Sequence, residues 1–127
     1  MKENLIKDKS FDFAVRIVNL HKHLTSEKKE YTMSMQVFRS GTSIGANISE
    51  AVQAISTADF LAKLAISLKE ASETDYWLRL LHKTGYIDDV EFKSIIYDCQ
   101  ELIKLLTSII KTSRNNNKLN NNDDMRK

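Results

Sequence analysis

The pentapeptide Gly41-Thr42-Ser43-Ile44-Gly45 fits the G-x-S-x-G pattern of serine hydrolases. That chemistry needs a strained strand-to-helix bend that exposes the serine, with a histidine and an acid delivered by a large α/β sheet. Here the pentapeptide lies inside an apolar helical period, and no strand pattern precedes it. A chain of 127 residues is also too short for that sheet, so Ser43 is not expected to be a nucleophile. No Gly-Lys-Ser/Thr follows, which excludes a phosphate loop. The same residues read better as Gly-x-x-x-Gly. Glycines four apart share a helix face and let another backbone approach closely. Each costs about 1 kcal/mol of helix stability relative to alanine, a loss that close packing must offset.

The other reactive side chains form no constellation. His21 and His23 are two apart and diverge on a helix, His82 is remote, and Cys99 is the single cysteine. No Glu-x-x-His or His-x-x-x-His pair exists, so neither a metal nor another cofactor is expected. Glu70, Glu73 and Asp75 could be imagined as an acid/base set. Carboxylates on a bundle helix are far more often solvated or ion-paired. Asp75 differs in falling on the core side of its helix. These residues predict no enzyme and no small-molecule substrate.

The elements that carry them are helices. With no proline and only three glycines, the chain lacks the turn residues that sandwiches and barrels need. Ser56-Thr57-Ala58-Asp59 reads as an N-cap with an acid in the first turn, and Asp88 and Glu91 as a second such start. Gly85 ends the helix between them. A short charged break falls at Ser26-Glu27-Lys28-Lys29. Helices are predicted at about 10–25, 29–55, 57–84 and 89–112, with boundaries loose by a few residues. Short connections make consecutive helices antiparallel, so the expected fold is an all-α, up-down-up-down four-helix bundle over residues 1–112. The Asn-rich stretch 113–127 has almost no apolar side chains and is expected to be disordered.

The apolar faces divide the helices into two kinds. The fourth has one stripe, Phe92, Ile95, Ile96, Cys99, Leu102, Ile103, Leu106 and Ile110, opposite Lys93, Tyr97, Gln100, Glu101, Lys104 and Ser108. The first has two stripes: Phe11, Ala14, Val15 and Val18, and Phe13, Ile17, Leu20 and Leu24. The third sets Leu61, Leu64, Ala65, Leu68 and Tyr76 against Ile66, Trp77 and Leu80. A second apolar strip bearing a tryptophan points to another chain. The second helix has a core stripe of Val37, Ile44, Ile48, Ala51, Val52 and Ile55. Its other face, Arg39, Ser43, Ala46, Asn47 and Glu50, is small and weakly charged. Arg39 and Glu50 lie roughly 16 Å apart along the axis and cannot pair directly. Lys69, Glu70 and Glu73 are their nearest candidate partners in kind. The expected packing and oligomer interface is therefore Arg39, Gly41, Ser43, Gly45, Asn47 and Glu50 on one helix. Ile66, Lys69, Glu70, Glu73 and Trp77 complete it on the next.

Composition narrows the setting. Nineteen basic and 17 acidic residues give a net charge of +2, which permits nucleic acid as a partner without demanding it. The third helix opens Thr57-Ala58-Asp59-Phe60-Leu61, acidic then apolar, which is wrong for a DNA recognition helix. No apolar run approaches the 20 or so residues of a membrane span. The opening MKENLIKDKSFDF is not a secretory signal, and one cysteine fits a reducing, cytoplasmic setting.

Residues 38–51, FRSGTSIGANISEA, followed by residues 65–78, AISLKEASETDYWL, resemble a bacterial family of four-helix-bundle proteins. These were first noticed as reading frames inside intervening sequences of large-subunit ribosomal RNA genes and were once labelled ribosomal proteins. The resemblance covers roughly residues 5–110, and the RSGTSIGAN block is its specific part. It implies an antiparallel bundle assembled as a homopentamer. The family also includes the accessory variability determinant of diversity-generating retroelements, a strongly basic pentamer that binds a reverse transcriptase and nucleic acid. The present net charge gives a much weaker electrostatic footprint. The expectation is a non-enzymatic, oligomeric binding or scaffold protein whose partner is RNA or a ribonucleoprotein. The alternative is a retroelement accessory protein that binds a reverse transcriptase and RNA or DNA.

Overall fold

The protein is described by a computed structural model covering the backbone of residues 2–126 and the side chains of residues 4–119. Four helices follow one another: α1 (Lys2–Ser26), α2 (Thr32–Val52), α3 (Thr57–Lys83) and α4 (Asp89–Arg126). Each packs on its sequence neighbours and α1 closes on α4, while the diagonal pairs do not touch. This is the expected four-helix bundle.

The punctuation follows local chemistry. Ser56 Oγ accepts from the Asp59 amide at 3.1 Å and Asp88 Oδ1 from the Glu91 amide at 2.8 Å, capping α3 and α4. Past α3, Gly85 takes φ +85°. There the Tyr86 amide reaches back to the Leu81 carbonyl and the Gly85 amide to that of His82, a Schellman-type stop. The α1–α2 break falls at the charged residues that predict it, but α2 begins at Thr32 rather than near 29. Lys29 sits at φ +54°, which no helix continues through. Glu30, 8% exposed, then takes the capping role, its carboxylate accepting from the amides of Thr32, Met33 and Ser34.

Two expectations about faces, on α2 and α3, need correction. Because α2 stops at Val52, its core stripe ends at Ala51: Val52 is exposed and Ile55, beyond the helix, is 99% exposed. On α3 the buried line is Leu64, Ser67, Ala71, Thr74, Leu78 and Leu81. Tyr76 and Ala65, expected inside, are exposed. On α1 the stripe of Phe13, Ile17, Leu20 and Leu24 enters the core, whereas Phe11 and Val15 are left at the surface. The α4 stripe is as expected, buried down to Ile110.

A further difference concerns the C-terminal segment. The helix does not stop near 112 but continues to Arg126, so the segment expected to be disordered is helical through that residue. Extending an existing helix adds one hydrogen bond per residue without a new nucleus. Each asparagine costs no more than about 0.7 kcal/mol relative to alanine. Packing nevertheless ends at Ile110, since residues 111–119 contribute no buried side chain.

Candidate interaction surface

Small residues bring α2 close to both neighbours. A Cβ on Gly41 would stand 2.7 Å from Ile17 Cγ1, and one on Gly45 would stand 3.2 Å from the Ser10 carbonyl oxygen. The Gly-x-x-x-Gly pair therefore serves close packing, and its partner is α1 of the same chain. Towards α3, Ser67 Oγ donates to the Ile44 carbonyl at 2.8 Å, and Thr74 Oγ1 donates to Ser40 Oγ at 2.9 Å. All four of these residues are buried. Sequence reasoning missed this polar seam because it searched for apolar periodicity. The signal available was small hydroxyl residues at helical spacing on both α2 and α3.

The remaining expected interface residues flank the α2–α3 seam. Ser43 Oγ donates to the Arg39 carbonyl at 2.6 Å, which commits the hydroxyl of the G-x-S-x-G pattern to its own helix. Asn47 Nδ2 donates to the Ser43 carbonyl. Glu50 does find a partner on α3, but it is Lys63 at 2.8 Å rather than Lys69. Lys63 was missed, although it lies only seven residues after the Ser56 cap of α3. Arg39 is exposed and pairs with no described residue. On α3, Glu73 Oε1 accepts from the Trp77 indole N–H at 3.3 Å. Partial burial, and next to it the Glu73 charge, push the Glu70 carboxyl up from its ordinary value. Ile66 is 43% exposed, Trp77 half-buried and Lys69 exposed. The face thus carries a free cation on one helix, a pair of crowded carboxylates on the other, and apolar area beside them.

A second, different surface lies across α1 and α2. Phe11, 68% exposed, and Ala14 border a groove of about 620 Å³ whose α2 wall is Thr42, Gly45, Ala46 and Ser49. The wall is low because it is built of small side chains, and Gly45 is part of it.

The other candidates for chemistry are occupied structurally. His21 Nδ1 lies 3.2 Å from the Ser34 carbonyl, and His82 Nε2 lies 2.7 Å from Asp89 Oδ1 with its ring stacked on Phe92. Asp75 is bound by Arg79 Nε at 2.6 Å. The Cys99 thiol donates to the Ala71 carbonyl, and burial pushes its pKa up to about 12. Among the described residues no cluster of His, Cys, Asp and Glu could hold a metal ion, and no helix is long and apolar enough to cross a membrane.

None of the curated proteins matches the chain. A crystal structure of a protein of unknown function from the S23 ribosomal protein family of Bacteroides thetaiotaomicron is similar to it at 62% identity and a TM-score of 0.86. That match covers 87% of this chain and 99% of the other. The 23S rRNA-intervening sequence protein family matches over residues 2–108, the whole of the packed bundle short of its last turn, and the chain belongs to that family.

Proposed function

We propose that the protein is a non-enzymatic scaffold that assembles with copies of itself in the cytoplasm and holds RNA or a ribonucleoprotein. The observation that carries this reading is the pair of unlike surfaces on one small bundle. A closed ring built from one kind of contact needs two different, complementary patches on each copy. The α1–α2 groove with Phe11 supplies one; Ile66, Trp77, Glu70 and Glu73 of α3 supply the other. Arg39 lies on the outer side of α2, seven residues before the groove residue Ala46 and so on the flank of the groove, without a partner among the described residues. In a neighbouring copy the crowded Glu70 and Glu73 carboxylates are its natural counter-charge. Five copies is the number that the family resemblance implies. The commitment of Ser43 and the burial of Cys99 support a role without catalysis.

Light scattering at micromolar concentration tests this reading. The expected result is an oligomer for the wild type and a smaller species for Arg39→Glu. Restoring the attraction with Glu73→Arg in the same chain should recover the assembly. A monomeric wild type overturns the reading.

A further inference from the structure

Beyond the core, α4 carries a line of cations that form no ion pair, of which only Lys93 acts on a nearby acid, the exposed Asp89 one turn before it. Lys104, Lys111 and Lys118 repeat every seven residues, so they drift by only about 20° per step around the axis. Arg114 and Lys93 fall on the same side, and all five side chains are exposed. None of them makes a hydrogen bond or ion pair with a described residue. The two acids between Lys93 and Lys118 are turned to α1: Asp98 binds Arg16 at 2.7 Å and Glu101 binds Lys9 at 2.9 Å. The helix therefore segregates its charges, with neutralised acids on the α1 flank and an unbroken basic line outside. From Lys93 to Lys118 that line is about 37 Å long. A net charge of +2 conceals it.

We infer that this outer face of α4 is a docking surface for the phosphate backbone of double-stranded RNA. Charge alone calls for a polyanion, and the accompanying residues choose among polyanions. Binding a single strand depends on a series of aromatic platforms, and the line holds only Tyr97. An anionic membrane is met by a helix whose apolar face lies beside its basic one. Here that apolar face, Ile95, Cys99, Leu102 and Leu106, is sealed in the bundle. DNA is read by a helix seated in the major groove, but as far as Ile110 α4 offers only a ridge, held between α1 and α3. Duplex RNA is recognised from outside, through phosphates and 2′-hydroxyls across a shallow minor groove. Lysines supply the point charges. Gln100 and Asn115, on the same side, bear amides that both donate and accept and so suit a 2′-hydroxyl. The line also runs past residue 108, where the family match ends, so part of it belongs to this chain's own extension. The inference rests on reading the protein as a binding scaffold and supplies the surface.

The test is fluorescence anisotropy of the full-length protein with a 24-base-pair RNA duplex of arbitrary sequence, titrated at several salt concentrations. Five phosphate contacts predict a slope of log affinity against log salt of roughly −4.5. Lys104→Gln/Lys111→Gln/Lys118→Gln should weaken binding at least tenfold and flatten the slope by about 2 to 3. A control with the exposed Lys22, Lys28 and Lys83 changed to glutamine should lose less than threefold. Equal losses in both triple variants overturn the inference, as does wild-type binding that is equal or tighter for single-stranded RNA, for a DNA duplex of the same sequence, or for phosphatidylserine vesicles. No binding to the RNA duplex overturns it as well. Light scattering on the same samples separates the two readings: an oligomer indifferent to duplex RNA defeats this inference alone, and a monomer that binds it through α4 defeats the assembly alone.

Discussion

The seams on the two sides of α1 and α2 are closed by opposite means. Where α2 meets α1 and α3, glycine, serine and threonine let the backbones approach, and the hydroxyls buried between α2 and α3 are hydrogen-bonded across the seam, whereas Ser34 Oγ nearer the start of α2 has no partner among the described residues. Where α1 meets α4, the contact is sparser and long side chains reach across it. Arg16 binds Asp98, Ser94 and Glu91, and Lys9 binds Glu101. The first arrangement tolerates no added volume, because its fit is set by backbone separation. The second is adjustable and partly wet, so each of its contacts is individually cheap to lose. Rigidity is concentrated around α2, the helix that also borders both proposed assembly surfaces.

The sharpest way to break that contrast is to add atoms to the tight seam. Gly41→Val forces a branched side chain against Ile17, which is itself branched and fully buried. The variant should lose about 2–3 kcal/mol, the usual cost of overpacking, read by urea denaturation. Trimming Ile17 to valine in the same chain should return part of it. If Gly41→Val is neutral, the seam is not tight.

Removing a polar contact from the same seam is expected to cost less. Thr74→Val keeps the shape but deprives the buried Ser40 hydroxyl of its closest partner, for about 1–2 kcal/mol. The double variant with Ser40→Ala should cost less than the sum of the two single changes, because each removes the same hydrogen bond. Additive losses would show that the pair is not coupled.

The α3–α4 seam provides a test by pH. Cys99 has its thiol raised from 9.0 to about 12, chiefly by burial. The folded chain therefore keeps a proton that the unfolded chain gives up. The stabilisation is complete below pH 9 and is lost as pH rises from 9 towards 12. Between pH 8 and 10 the loss should be roughly 1.4 kcal/mol. Cys99→Ala, less stable overall, should show a correspondingly shallower decline. An unchanged slope would mean that the thiol ionises freely in the fold.

How much of this was legible in the sequence varies with the kind of signal. Caps at Ser56 and Asp88, the stop at Gly85 and the α4 stripe are local or strictly periodic, and the structure follows them. The α3 core line escaped detection because Ser67, Ala71 and Thr74 occupy it, and polar or small residues do not register as hydrophobic periodicity. Ile55 continues the apolar period of α2 in sequence but lies beyond the end of the helix at Val52. The early stop depends on the Gln53 and Ala54 turn, which carries neither glycine nor proline. Of the candidate surface, Arg39 follows from the weakly solvated face of α2, Trp77 from a second apolar strip on α3, and Glu70 and Glu73 only from their charge. Their grouping about one seam required tertiary pairing, and so did Lys63, whose partner Glu50 lies on another helix.

The smallest expected effect lies on the adjustable flank and is the most diagnostic of its character. Arg16→Met removes the three α4 contacts while leaving the aliphatic stem that covers the neighbouring surface. With the charged groups roughly a third exposed, the loss should be about 0.5–1 kcal/mol in low salt. It should shrink towards zero in 1 M salt, where screening acts over about 3 Å. Gly41→Val should show no such salt dependence, since volume is not screened. A loss at Arg16 that persists undiminished in high salt would mean that the α1–α4 flank is held by packing, like the seams around α2, and the contrast between the two sides would collapse.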